Sequence, residues 1–153
     1  MKWLLIFILP LVFLSGCASK VESYVDVSRV MEQIQQVAHF ENAIVEDATT
    51  LAVAERYGIS PDDITKGLVY HTRDPKNSDK VILLRAKNED AIEHIEHALN
   101  AEIIGMKNTW KNDKVESIKV DEHILKTRDK YVILIVADNV KEIREVFDRE
   151  IVI

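Results

Sequence analysis

Apolar residues recur along this chain at helical spacing in four segments and in alternating or unbroken runs in four others. The first helical stripe is Val27, Val30, Met31, Ile34 and Val37, with Asp26 or Ser28 placed to cap it. His39-Phe40-Glu41-Asn42 reads as a break. A second helix is predicted from about Asp47 to Tyr57, with Ala48, Leu51, Ala52 and Ala54 inward and Gly58 as its stop. Ser60-Pro61-Asp62-Asp63 has a cap residue, a proline and two acids in the order that starts a short helix. The spacing then changes to that of strands. Leu68–Thr72 and Lys80–Ala86 flank a polar turn and predict a hairpin. Asn88 caps a helix bearing Ile92, Ile95, Leu99 and Ile103. After a polar stretch, a third strand is expected at Val120–Lys126 and a fourth at Tyr131–Ala137. Asn139 then opens a last helix with Val140, Ile143, Val146 and Phe147 on one stripe.

The second hairpin and helix echo the first. Thr72-Arg73-Asp74 returns as Thr127-Arg128-Asp129, and Val81-Ile82-Leu83 as Val132-Ile133-Leu134, 51 positions later. Asn88, Ile92 and Ile95 correspond to Asn139, Ile143 and Val146. The fold class expected is therefore α+β: a four-stranded antiparallel sheet with helices, a ββα-ββα repeat preceded by N-terminal helices. Two unrelated hairpin–helix units are the plainer alternative. The simplest packing puts the helices on one face. The run Val132–Ala137 calls for cover on both faces, which the two N-terminal helices can supply.

At the start of the chain Lys2 precedes a twelve-residue apolar run, Trp3–Leu14, interrupted by Pro10. A helix needs roughly 20 apolar residues to span a bilayer, so the run fits the core of an export signal instead. An ordinary signal peptide or an uncleaved anchor is the competing reading. Leu14-Ser15-Gly16-Cys17 resembles the lipobox of bacterial lipoproteins, and Cys17 is the single cysteine of the chain. That resemblance implies cleavage before Cys17 and lipid attachment to it, with two or more acyl chains holding the protein to the membrane. The expected organisation is a signal over residues 1–16, a lipidated tether over 17–24 and one α+β domain over 25–153. The expected place is the cell membrane, lipid-anchored and facing outside the cytoplasm.

Charge and composition narrow the partners. The chain has 20 basic and 26 acidic residues, and loss of the signal leaves 19 against 26, a net of −7. That balance argues against nucleic acid. With no cysteine besides Cys17 there is no internal disulfide, and stability must come from packing.

Glu55-Arg56-Tyr57-Gly58-Ile59-Ser60-Pro61-Asp62-Asp63-Ile64 resembles a motif of the domain of unknown function 4358 family of small bacterial (Firmicutes-type) lipoproteins. Asp129-Lys130-Tyr131-Val132-Ile133-Leu134-Ile135-Val136-Ala137-Asp138 is similar to a second stretch of that family, with Lys130 where glycine is frequent. The resemblance covers about Val25 to Ile151. It implies a location and a fold, and no activity.

Candidate chemistry is sparse. Glu93-His94-Ile95-Glu96-His97 puts two imidazoles three apart on one helix, a pair able to offer ligands to zinc. The spacing is not that of H-E-x-x-H, and a solvated helix face rich in Glu and His explains it as well. His71 and His123 are possible distant ligands. Asp62 and Asp63 suit the helix dipole without catalysis. Asp121 and Glu122, adjacent on an expected strand, point to opposite faces. Ser60, Ser78 and Ser117 lack a nucleophile-elbow context, and no glycine-rich phosphate loop exists. Trp110 is either an exposed contact or a residue packed under its loop. The reading is a non-enzymatic interaction or accessory module with no cofactor and no resident metal, docking an envelope protein through a sheet edge. The rival is a metal- or small-ligand-binding lipoprotein using His94 and His97.

Overall fold

The computed structural model describes residues 24–152. The expected signal, the Cys17 anchor and nearly all of the tether lie outside the described residues. Among those described, the elements run α1 (Val27–Ala38), β1 (Ala43–Asp47), α2 (Leu51–Arg56), a 3-10 turn (Pro61–Asp63), β2 (Ile64–Thr72) and β3 (Lys80–Ala86). They continue with α3 (Glu89–Trp110), α4 (Lys114–Asp121), β4 (Ile124–Arg128), β5 (Tyr131–Val136) and α5 (Val140–Glu150). The fold is α+β, with one five-stranded, wholly antiparallel sheet in the order β1-β2-β3-β5-β4.

The predicted boundaries hold where local chemistry sets them. The Asp26 carboxylate accepts the Ser28 amide at the start of α1. Asn88 accepts the Ala91 amide at the start of α3. Gly58 sits at φ 65°, a conformation that costs a glycine little. The β4–β5 hairpin closes through Asp129 at φ 52°, so the left-handed position falls on an aspartate and Lys130 needs no glycine.

Four expectations are corrected. The sheet has five strands, because Ala43–Asp47 forms β1. This edge strand is short and half exposed, so it carries no clear alternation, and pairing with β2 creates it. The second helix begins only at Leu51, because the Asp47 carboxylate accepts the amide and hydroxyl of Thr49 in a local turn. Val53 and Ala54 face inward there, while Leu51 and Ala52 are exposed. The stretch 114–121 is helix α4, so Asp121 and Glu122 end a helix and the strand starts at Ile124.

The last correction concerns the layers. Helices cover both faces of the sheet. α2, α3 and α4 pack with Val69, Ile82, Leu84, Val132, Leu134 and Val136. On the opposite face α1 and α5 pack with Tyr70, Val81, Leu83, Tyr131, Ile133 and Ile135. The 51-residue offset of the sequence echo is odd, and strand side chains alternate faces. Ile82 therefore lies on one face and its counterpart Ile133 on the other, and α3 and α5 follow them to opposite sides. The two halves share local pattern without sharing a layer. All six residues of β5 are buried, as expected of a strand covered twice.

Candidate functional site

Three features outside the packed core carry chemistry: a cleft at one end of the sheet, a small pocket beside His94 and His97, and the free edge of β1.

The cleft, about 440 Å³, lies among the end of α2, the β2–β3 turn and the C-terminal half of α3. Its foundation is a buried polar cluster. The Glu116 carboxylate on α4 accepts both the amide (2.8 Å) and the hydroxyl (2.6 Å) of Ser78. Lys119, one turn along α4, donates to Asp79 at 2.9 Å and reaches Glu116 at 3.2 Å. Burial works against the Glu116 charge, but the two Ser78 donors and Lys119 outweigh it and hold the carboxyl below its usual range. Burial likewise opposes the Lys119 charge, and Asp79 and Glu116 override it and raise the ammonium. The cluster locks the turn onto the helix. Asn77 is fixed with it: its Oδ1 accepts from the Asp79 amide (2.8 Å) and Lys119 (3.3 Å), leaving Nδ2 without a partner among the described residues.

The remaining charges of the cleft are paired. Lys80 donates to Glu102 at 2.5 Å and lies 5.0 Å from the centre of the Tyr57 ring. Glu46 receives Arg56 at 2.6 Å and His71 at 2.8 Å through one oxygen. The Arg56 guanidinium holds that carboxyl below its usual range against burial, with His71 helping. The α3 wall presents Met106, half-buried Trp110 and Gly105. Gly105 is unusual. A Cβ built there meets nothing within 4 Å, and its φ is not left-handed, so neither packing nor backbone conformation calls for glycine. A mid-helix glycine costs about 0.5–1 kcal/mol relative to alanine. Gly67 is the contrast: a Cβ there would lie 2.5 Å from Leu84 Cδ2 and 3.0 Å from Ala48 Cβ.

The second pocket, about 260 Å³, is lined by both His94 and His97 together with Asp63. His94 Nδ1 stands 3.2 Å from Asp63 Oδ2. His71 is committed to Glu46 in the cleft, and His123 Nδ1 lies 2.7 Å from the Val120 carbonyl, so the four histidines do not converge. Among the described residues no group of three or more His, Cys, Asp or Glu is arranged to hold a metal ion. Glu93 is exposed, and Asp62 lies in the 3-10 turn as the sequence implies. Trp110 is half-buried and packed against the core, which fits the plainer of its two readings, yet it also lines the cleft.

The edge of β1 is open. The pairs Asn42–Arg73 and Ala48–Gly67 are hydrogen-bonded, so by alternation the amides and carbonyls of Ala43 and Val45 face away from β2. Val45 is 42 % exposed. On the opposite edge, β4, two side chains are tied to α5: Lys126 donates to the Asp148 side chain at 2.5 Å and Arg128 to the Asp148 carbonyl at 2.8 Å.

The two histidines singled out in the sequence, His94 and His97, line the second pocket, and the cleft was not anticipated. The one signal for the cleft was Glu116 and Lys119 on the same side of a polar stretch, and nothing local marks such a pair as buried. No helix among the described residues is long and apolar enough to cross a membrane.

The fold and these surfaces define a class: a small α+β domain, one antiparallel sheet between two helical layers, with a polar cleft at one end of the sheet. The chain belongs to the family described as Domain of unknown function (DUF4358), whose model matches residues 36–137. The match begins inside α1 and stops before α5, the two helices that together cover the second face. No curated protein and no solved structure matches the chain.

Proposed function

We propose that this chain is an exported, lipid-anchored module of the cell envelope, without enzymatic activity, that binds an extended segment of an envelope protein along β1. The observation carrying the docking site is the open edge of β1: the main-chain groups of Ala43 and Val45 face away from β2 and have no partner among the described residues. An added strand takes its affinity from such main-chain groups. The non-enzymatic reading is supported by the state of the polar groups. The Ser78 hydroxyl, bonded to a carboxylate, belongs to a residue only 4 % exposed, and its amide and hydroxyl both go to the same Glu116 oxygen. That is a clamp on a turn, with both Ser78 donors spent on holding it. The anchor rests on the sequence Leu14-Ser15-Gly16-Cys17.

Proline at position 45 removes an amide that faces away from β2, so it leaves the β1–β2 ladder intact and blocks an added strand. Cross-linking of the full-length protein on intact cells should capture one dominant partner, and Val45→Pro should abolish that capture at unchanged protein level and melting temperature. Capture that survives Val45→Pro overturns the edge as the docking site. Cys17→Ala should release the protein from membranes or leave it unprocessed. A variant still processed and membrane-bound like the parent overturns the anchor.

A further inference from the structure

We infer that the cleft between α3 and the β2–β3 turn binds a small, uncharged, polyhydroxylated ligand of the saccharide class. This is separate from the β1 edge and does not depend on it.

Four observations converge. The ionised groups of the cleft are already neutralised by one another: Lys80 by Glu102, Arg56 by Glu46, Lys119 by Asp79 and Glu116. A charged ligand finds no uncompensated charge among these groups, and a neutral ligand needs none. The hydrogen-bonding capacity that remains is a mixture of donors and acceptors on planar groups. Asn77 Nδ2 has no partner among the described residues, Arg56 has guanidinium hydrogens beyond the one spent on Glu46, and Glu102 has a second oxygen. Neighbouring hydroxyls each donate and accept, so they suit a mixed set better than a purely anionic or cationic group does.

Trp110 supplies the third element. Its ring is half-buried against the core and lines the cleft, and its indole N–H makes no hydrogen bond among the described residues. An aromatic ring with a polar tip suits the alternating C–H and O–H surface of a pyranose. Gly105 is the fourth. One turn before Thr109 and Trp110, it removes a side chain from the cleft wall where packing makes no demand for that removal. Close approach of a ligand to the helix backbone is a reason for glycine there. The volume is in the range of small-ligand sites.

The test uses the full chain in a zwitterionic, sugar-free detergent and titrates glucose, N-acetylglucosamine, maltose and N,N′-diacetylchitobiose by calorimetry. Glutamate, glycylglycine and inorganic phosphate serve as charged comparisons. Saturable binding of at least one saccharide, weakened tenfold or more by both Gly105→Leu and Trp110→Ala, is the expected result. Both variants should keep the parent's circular dichroism and cooperative melting. If Trp110→Ala unfolds the domain, Trp110→Phe replaces it, and weakened saccharide affinity in the same calorimetric titration is the readout. No saturable saccharide binding by the folded parent overturns the proposal. So does tighter binding of a charged probe than of every saccharide, or saccharide binding that Gly105→Leu leaves unchanged.

Discussion

Ser78 and Glu116, 38 residues apart, are joined by two hydrogen bonds to a single carboxylate oxygen. That contact fastens the β2–β3 turn to α4 and so shapes one wall of the cleft. Replacing Glu116 by alanine leaves the Ser78 amide and hydroxyl without their acceptor and Lys119 with one acid fewer. The expected loss is about 1–3 kcal/mol of unfolding free energy, read from urea denaturation with an unchanged slope. A variant as stable as the parent would show the cluster to be incidental.

The same carboxylate gives a pH dependence. Its folded pKa lies below the model-compound value, so its contribution is fully present above that value and is lost as pH falls through the folded one. Glu46, held down chiefly by Arg56, adds in the same direction. Unfolding free energy should therefore decline as the medium is acidified through and below the ordinary carboxylate range. Glu116→Gln should flatten that decline. Lys119 acts at the other end: its pKa is raised, so its contribution is present below the ordinary lysine value and is lost as pH rises through the folded one.

The glycines separate packing from function. Gly105→Ala meets open space and should stabilise the protein by about 0.5–1 kcal/mol, measured as a higher melting temperature. Gly67→Ala drives a methyl into Leu84 and Ala48 and should destabilise it by about 1–3 kcal/mol. Opposite signs at two glycines in one protein are the outcome to look for.

Tyr131 ties the first described residues to the centre of the sheet. Its hydroxyl accepts the Val25 amide and donates to the Val25 carbonyl, both at 2.9 Å. Tyr131→Phe should cost about 1–2 kcal/mol and speed hydrogen exchange at the Val25 amide, while exchange in β5 itself changes little.

Much of this was written in the chain. The periods of Val27–Val37, Ile92–Ile103 and Val140–Phe147 located three helices, and Asp26 and Asn88 fixed the starts of the first two through contacts a few residues long. Strands β2, β3 and β5 announced themselves as apolar runs, and the family was legible in Tyr57-Gly58-Ile59 and the stretch around Tyr131. Such signals survive in sequence because their causes are local: backbone caps, turn conformations, and the repeat of one buried face.

What tertiary structure decided has non-local causes. β1 exists only because β2 offers it partners, and its five residues have no burial pattern of their own. α3 and α5 look alike in sequence, yet an odd offset along alternating strands sends them to opposite faces. Glu116 and Lys119 lie in a stretch that reads only as polar, and they are buried because Ser78 and Asp79 arrive from a distant turn to satisfy them. The cleft combines residues from α2, the β2–β3 hairpin and α3, with its base held by α4, so no single stretch of sequence contains it. A charged side chain can be buried only where its partners converge, and that convergence is a property of the folded sheet and helices together.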